Sequence, residues 1–299
     1  MSILYHQCPI CASKNIHFLV ENQDFTVSNE IFEIWLCQDC QTAFTQNAPN
    51  PEHIGKYYQS ENYVSHSDTK KGLINRLYHV ARQMMLSTKT SLIERLNAQN
   101  PKKILDIGCG TGYFLGNLKS KNWQCLGIEP DPKARSFAQK NFGLEVLEAE
   151  NFWKISEQFQ VITLWHVLEH LHDLEKYFVK IKSLLAPNGV LVIAVPNHWA
   201  AERNHYKEHW AAWDTPRHLW HFSPQSLEFL AKRFGFRLTE QKMMPFDPFY
   251  IALLSEKYKN NPLALLSGFF WGGVSFLQSL FQTKKSSSII YVLRHGTTL

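Results

Sequence analysis

The chain has 299 residues, 44% of them hydrophobic, which is room for one α/β domain of ordinary size plus a small appendage and excludes a disordered chain. Its net charge of +5 comes from scattered Lys and Arg, so no basic tract marks it as a nucleic-acid binder. Six cysteines without a basic-then-apolar leader exclude a small secreted disulfide scaffold and fit a reducing, cytoplasmic setting.

The first motif is a pair of C-x2-C turns, Cys8-Pro9-Ile10-Cys11 and Cys37-Gln38-Asp39-Cys40, separated by 25 residues. Each turn can present two thiolates, and the two together complete a tetrahedral four-cysteine site for zinc. With every position taken by protein, that zinc is structural. Residues 16–20 and 30–36 read as short strands, so residues 1–48 are expected to form a zinc ribbon. A piece this small folds on its metal, with a core separate from the rest of the chain. Cys109 and Cys125 lie in apolar surroundings and read as packing.

Pro49 and Pro51 close the ribbon. Tyr57, Tyr58 and Tyr63 follow, and then Leu73, Leu77, Met84, Leu92 and Leu96 recur on related helical faces. Residues 49–100 are thus a helical linker and cap, stopped by Pro101.

From residue 101 onward, strands alternate with helices. The apolar run 103–107 leads into Asp106-Ile107-Gly108-Cys109-Gly110-Thr111-Gly112, where glycines allow a sharp turn and close approach to a ligand. A second strand, 125–128, ends in Glu129, 21 residues after Gly108, placed to accept both hydroxyls of a ribose. The spacing is G-x-G-x-G, with Tyr113 where a dinucleotide fingerprint has its last glycine. Asp131 and Pro132 open a helix that Gly143 closes. Strands at 144–147, 161–164 and 190–195 alternate with a helix through Leu174, Phe178 and Ile181, which specifies a doubly wound parallel sheet.

The runs LDIGCGTG, GIEPD, WHVLEHLHD and LAPNGVLVIAVPN, in that order, resemble the successive motifs of class I S-adenosylmethionine-dependent methyltransferases, most closely the ubiquinone-biosynthesis-like group. The resemblance covers about half of the chain. It implies a Rossmann-like seven-stranded α/β sheet for residues 101–299, with S-adenosylmethionine over the carboxyl ends of the strands. By matching position, Asp106, Gly108, Gly110 and Gly112 would face its methionine part and Glu129 its ribose. Pro130 and Asp131 would border the adenine, Glu150 would lie at the adenine edge, and His166 near the methyl end.

Residues 198–222 hold five of the 14 histidines and four of the nine tryptophans. A loop at a strand's carboxyl end can wall a substrate, and His218 and His221 are candidate catalytic bases beside His166. The same segment can equally serve to anchor the helix that Ser223 and Pro224 begin. Gly235 and Phe236 start a sixth strand and 287–293 is the seventh. Between them, 263–281 runs 19 residues without a charge, within an apolar insert at about 245–285. Its side chains need cover: the protein's own crevice (a lid), another subunit, or a peripheral membrane contact.

The expected activity is O-methylation of a small or lipid-like acceptor with a histidine base. The alternatives are RNA or DNA methylation, with the ribbon as reader, and a non-enzymatic ribbon protein. Modest charge weighs against the first, intact glycines and Glu129 against the second.

Overall fold

The computed structural model describes residues 2–59 and 73–296, side chains excepted at 73–81, so Tyr63 and the side chains of Leu73 and Leu77 lie outside the described residues. Its strands in chain order are β1 (Ser2–Ile3), β2 (Ile16–Gln23), β3 (Ile31–Cys37), β4 (Ala43–Thr45), β5 (Ala48–Pro49), β6 (Lys103–Ile107), β7 (Gln124–Ile128), β8 (Glu145–Leu147), β9 (Phe159–Trp165), β10 (Leu185–Pro196), β11 (Trp220–His221), β12 (Phe236–Met243) and β13 (Ser288–His295). The principal helices are α1 (Leu73–Leu96), α2 (Tyr113–Lys119), α3 (Pro132–Phe142), α4 (Leu174–Leu184), α5 (Pro224–Arg233), α6 (Asp247–Tyr258) and α7 (Ala264–Phe281).

The main sheet has seven strands in the order β12-β13-β10-β9-β6-β7-β8. Strands β8, β7, β6, β9 and β10 run parallel, and β13 lies antiparallel between β10 and β12. This is the seven-stranded Rossmann-like fold that the motif order implied. Helices cover both faces, so the central strands read as unbroken apolar runs: Val190 to Val195 are all buried. The caps follow the sequence. Asp131 accepts from the Lys133 amide, Pro132 sits in the first turn, and Gly143 ends α3 at φ 58°. Ser223 and Ser226 cap α5 reciprocally.

Three expectations change. Met84 is exposed, and α1 instead buries Leu86, Leu92, Ile93 and Leu96 against the sheet. The ribbon is not a unit with its own core. β2, β3 and β4 form its antiparallel sheet, but the fourth strand is β11, with Trp220 opposite Phe44 and His221 opposite Ala43. Cys8, Ile10, Cys37, Cys40 and Phe44 share one apolar cluster with Leu219, Phe222 and Leu227. The ribbon supplies few large apolar side chains, and the aromatic segment 198–222 completes its interior.

The insert is a helical hairpin of α6 and α7, packed inside out. α7 buries Gly268, Gly272, Ser275 and Ser279. A Cβ on Gly268 would lie 2.8 Å from the Leu253 Cα, and one on Gly272 2.7 Å from the Phe249 Cα, so the two helices touch backbone to backbone. Trp271 stacks on His205 and Phe276 lies against Phe249, but the other large apolar side chains of α7 point outward and do not close over the crevice as a lid would.

Candidate functional site

Two centres emerge from this fold. The first is the cysteine cluster. Each C-x2-C turn closes the same way: the Ala12 amide donates to the Cys8 carbonyl, and the Gln41 amide to the Cys37 carbonyl. Ala12 and Gln41 both adopt left-handed backbone. Cys8 and Cys40 lie with sulfurs 3.6 Å apart, Cys11 and Cys37 3.5 Å apart, and all four thiols fall within 4.8 Å of one another. Tetrahedral zinc with Zn–S bonds of about 2.3 Å needs sulfur–sulfur edges of about 3.8 Å, so the donor set fits the ion. A hydrogen bond from the Cys8 thiol holds Cys40 below the usual thiol range, which favours a thiolate there.

The second centre lies at the carboxyl ends of β6, β7 and β9. Gly108, Gly110 and Gly112 all have positive φ, at 74°, 54° and 79°. A Cβ on Gly108 would strike Val167 and one on Gly112 would strike Ala138, whereas one on Gly110 would meet open space. Gly110 is thus where the loop offers bare backbone to a ligand. Glu129 braces this loop: one carboxylate oxygen accepts from the Gly110 amide at 2.8 Å, the other from the Asp131 amide at 2.9 Å. Burial raises its pKa against those two bonds. Asp106 is buried beneath and accepts from the Thr163 hydroxyl at 2.6 Å. Burial pushes its carboxyl up to about 7, opposed by Thr163 and Lys89.

His166, at the end of β9, takes a left-handed conformation with φ 57°. Its Nε2 lies 3.2 Å from Asp247, the first residue of α6, and its Nδ1 3.5 Å from Glu169. Burial alone would lower its pKa, but the two carboxylates outweigh it and hold the imidazole up to about 9. Lys89, from α1, stands 4.3 Å above the Trp165 ring, and burial lowers its pKa despite Asp106 and Asp247. Glu169 is buried, with neither carboxylate oxygen receiving a hydrogen bond. Behind it, the His170 and His218 rings lie 4.7 Å apart, and Glu169, His170 and His218 bring three ligand atoms within 4.8 Å, enough to hold an ion. Burial lowers His170 to about 4, keeping it a neutral imidazole.

The structure brings Asp106, Gly108, Gly110, Gly112, Glu129, Pro130, Asp131 and His166 together at the adjoining carboxyl ends of β6, β7 and β9, where an open α/β sheet has its crevice. Glu150 is exposed in a short turn after β8. His218 touches the crevice from behind, through Glu169, and its Nδ1 donates to the Ala212 carbonyl. His221 is elsewhere: it is buried between Trp213 and the Thr45 hydroxyl of the ribbon, and burial holds it well below the usual range. Lys89, Asp247 and Arg135 escaped the sequence. Arg135 donates to the Glu129 and Pro130 carbonyls and pairs with Glu148. Each reaches the site from a helix whose own pattern signals only packing.

Residues 78–241, more than half of the chain, match a family model described as a methyltransferase domain. The ubiquinone biosynthesis O-methyltransferase of Azorhizobium caulinodans is 28% identical over 159 residues, 49% of this chain and 63% of that protein. Its counterpart from Dinoroseobacter shibae is 29% identical over 192 residues, 58% of this chain and 75% of that protein. The match therefore spans less than two thirds of the first of these relatives. Among solved structures, the magnesium protoporphyrin IX methyltransferase of Synechocystis, with bound SAH, superposes at a TM-score of 0.55 over 83% of this chain and 100% of its own. At 11% identity that likeness is one of fold.

Proposed function

Because the chain belongs to the methyltransferase-domain family, we propose that it transfers a methyl group from S-adenosylmethionine to an oxygen of a small or lipid-like acceptor. The observation that carries this is the open backbone cradle at Gly110, braced by Glu129. When bound, S-adenosylmethionine supplies a methyl group activated by its sulfonium. Glu129 keeps lone pairs for two ribose hydroxyls while its bonds to Gly110 and Asp131 hold it in place. Asp106, Gly108 and Gly112 border the methionine part, Pro130 and Asp131 the adenine, with Glu150 at its outer edge. Cys8, Cys11, Cys37 and Cys40 hold a structural zinc.

The histidine chemistry divides between two rings. His166, charged at neutral pH and ion-paired through both ring nitrogens to Asp247 and Glu169, stands at the methyl end as a positioning residue. His218 has its Nδ1 committed to the Ala212 carbonyl, which leaves Nε2 as the nitrogen that can act as the base. His221 serves the seam with the ribbon. The ribbon edge at β4 is taken by β11, which supports a small acceptor over a nucleic acid read by the ribbon.

Labelled S-adenosylmethionine, offered with a panel of phenols, catechols and long-chain hydroxylated acceptors, tests this. Label should reach an acceptor oxygen, and His166→Gln should slow transfer by about 10²-fold or more. Label on tRNA or DNA instead would replace the proposal.

A further inference from the structure

Helix α7 is turned the wrong way for water. Its small residues face α6, while Leu266, Phe269, Phe270, Leu277, Leu280 and Phe281 are each more than half exposed, Phe281 at 87%. Among the described residues it is the one helix long and apolar enough to cross a membrane by length and composition. At 18 residues it makes an apolar strip of about 27 Å. Its polar groups are spent inward: Ser267 donates to Glu256, Ser275 to Glu202, and Ser279 to the Ser275 carbonyl. Gln278 is the one exposed polar side chain among the described residues 263–281.

The rim decides what covers this strip. The insert carries two acidic residues, Asp247 and Glu256, and both turn inward, to His166 and to Tyr206. Its four lysines, Lys257, Lys259, Lys284 and Lys285, are exposed and flank the two ends of α7. A two-fold contact between copies would gather eight lysines around one dry seam and offer few hydrogen-bond partners in its centre. An anionic lipid surface meets both features at once: acyl chains take the Leu and Phe side chains, and headgroups take the lysines. The hairpin is part of the globule, since Ser255 of α6 accepts from the Ala211 amide. α7 therefore lies in the interface plane rather than across the bilayer.

We propose that the outer face of α7, with Lys257, Lys259, Lys284 and Lys285, docks the protein on an anionic bilayer surface. Docking stands independently of the methyl-transfer reading. The test is flotation of the full chain with phosphatidylcholine vesicles, with and without phosphatidylglycerol. The intact protein should float with the anionic vesicles, roughly tenfold less with the neutral ones, and less as salt rises. Phe269→Ser/Phe270→Ser should remain in the aqueous fraction with an unchanged melting temperature. Lys284→Glu/Lys285→Glu, which leaves the apolar face whole, should lose the preference for anionic lipid. An intact protein that stays in solution with anionic vesicles overturns the proposal. So does a phenylalanine variant that floats equally well, or one that changes only a dimer seen by sedimentation.

Discussion

Arg217 and Lys89 are both cations drawn into the interior, and the protein treats them in opposite ways. Arg217, on the seam between ribbon and sheet, is buried against Asp24 at 3.0 Å and Asp214 at 2.6 Å and donates to the Tyr57 carbonyl. Asp24 in turn accepts from the Thr26, Val27 and Ser28 amides. Charge and hydrogen bonds close there, and Arg217 is held more firmly charged than usual despite its burial, chiefly by Asp214. At the crevice burial wins at two groups: Lys89 is pushed toward neutrality and Asp106 is held up to about 7 in spite of its bond from Thr163. A closed network fixes structure. Groups left with their charge suppressed by burial mark the place to look for a ligand.

Three measurements test that contrast. The largest effect belongs to Cys37→Ser. Because ribbon and sheet share one core, losing a zinc ligand should destabilise the whole chain in a single thermal transition, not the ribbon alone. A zinc-free variant melting at the original temperature would show the two to be independent. Next, Arg217→Met leaves Asp24 and Asp214 buried without their cation and should cost about 3–5 kcal/mol in urea unfolding. A cost near zero would mean that the seam's charges are not what joins ribbon to sheet. The smallest effect is a pH dependence. His166 is held up to about 9 by Asp247 and Glu169 against burial, so the stability from its proton is complete below about 6.5 and is lost as pH rises to about 9. Asp247→Asn should flatten the fall in urea midpoint across that window. An unchanged slope would remove Asp247 from the account.

The parts of this arrangement made by local chemistry were legible in the chain. Glycine spacing, the acidic end of β7, the Asp131 and Ser223 caps and the two cysteine turns each act within a few residues, so their meaning survives without a fold. What was not legible depends on long closure. His218 and His221 are three residues apart on one segment, yet one backs the crevice through Glu169 and the other packs on Thr45. No periodicity tells them apart, because the pairing of β11 with β4 joins segments about 175 residues apart in sequence. Lys89 and Asp247 were hidden in the same way, one in a cap helix and one at the head of an apolar insert. The orientation of α7 was hidden as well: its composition announces an apolar helix, but the Gly268–Gly272 contact with α6 decides which side faces out.

The central claim is that the Gly108–Gly112 loop and Glu129 form an S-adenosylmethionine cradle. Titration calorimetry of the zinc-loaded chain with S-adenosylmethionine tests it most directly. One site per chain is expected, weakened by about 1.5–3 kcal/mol in Glu129→Ala and abolished in Gly110→Trp, whose side chain would fill the open space over the loop. Absence of heat at millimolar ligand, or tight binding of NAD in its place, would contradict it.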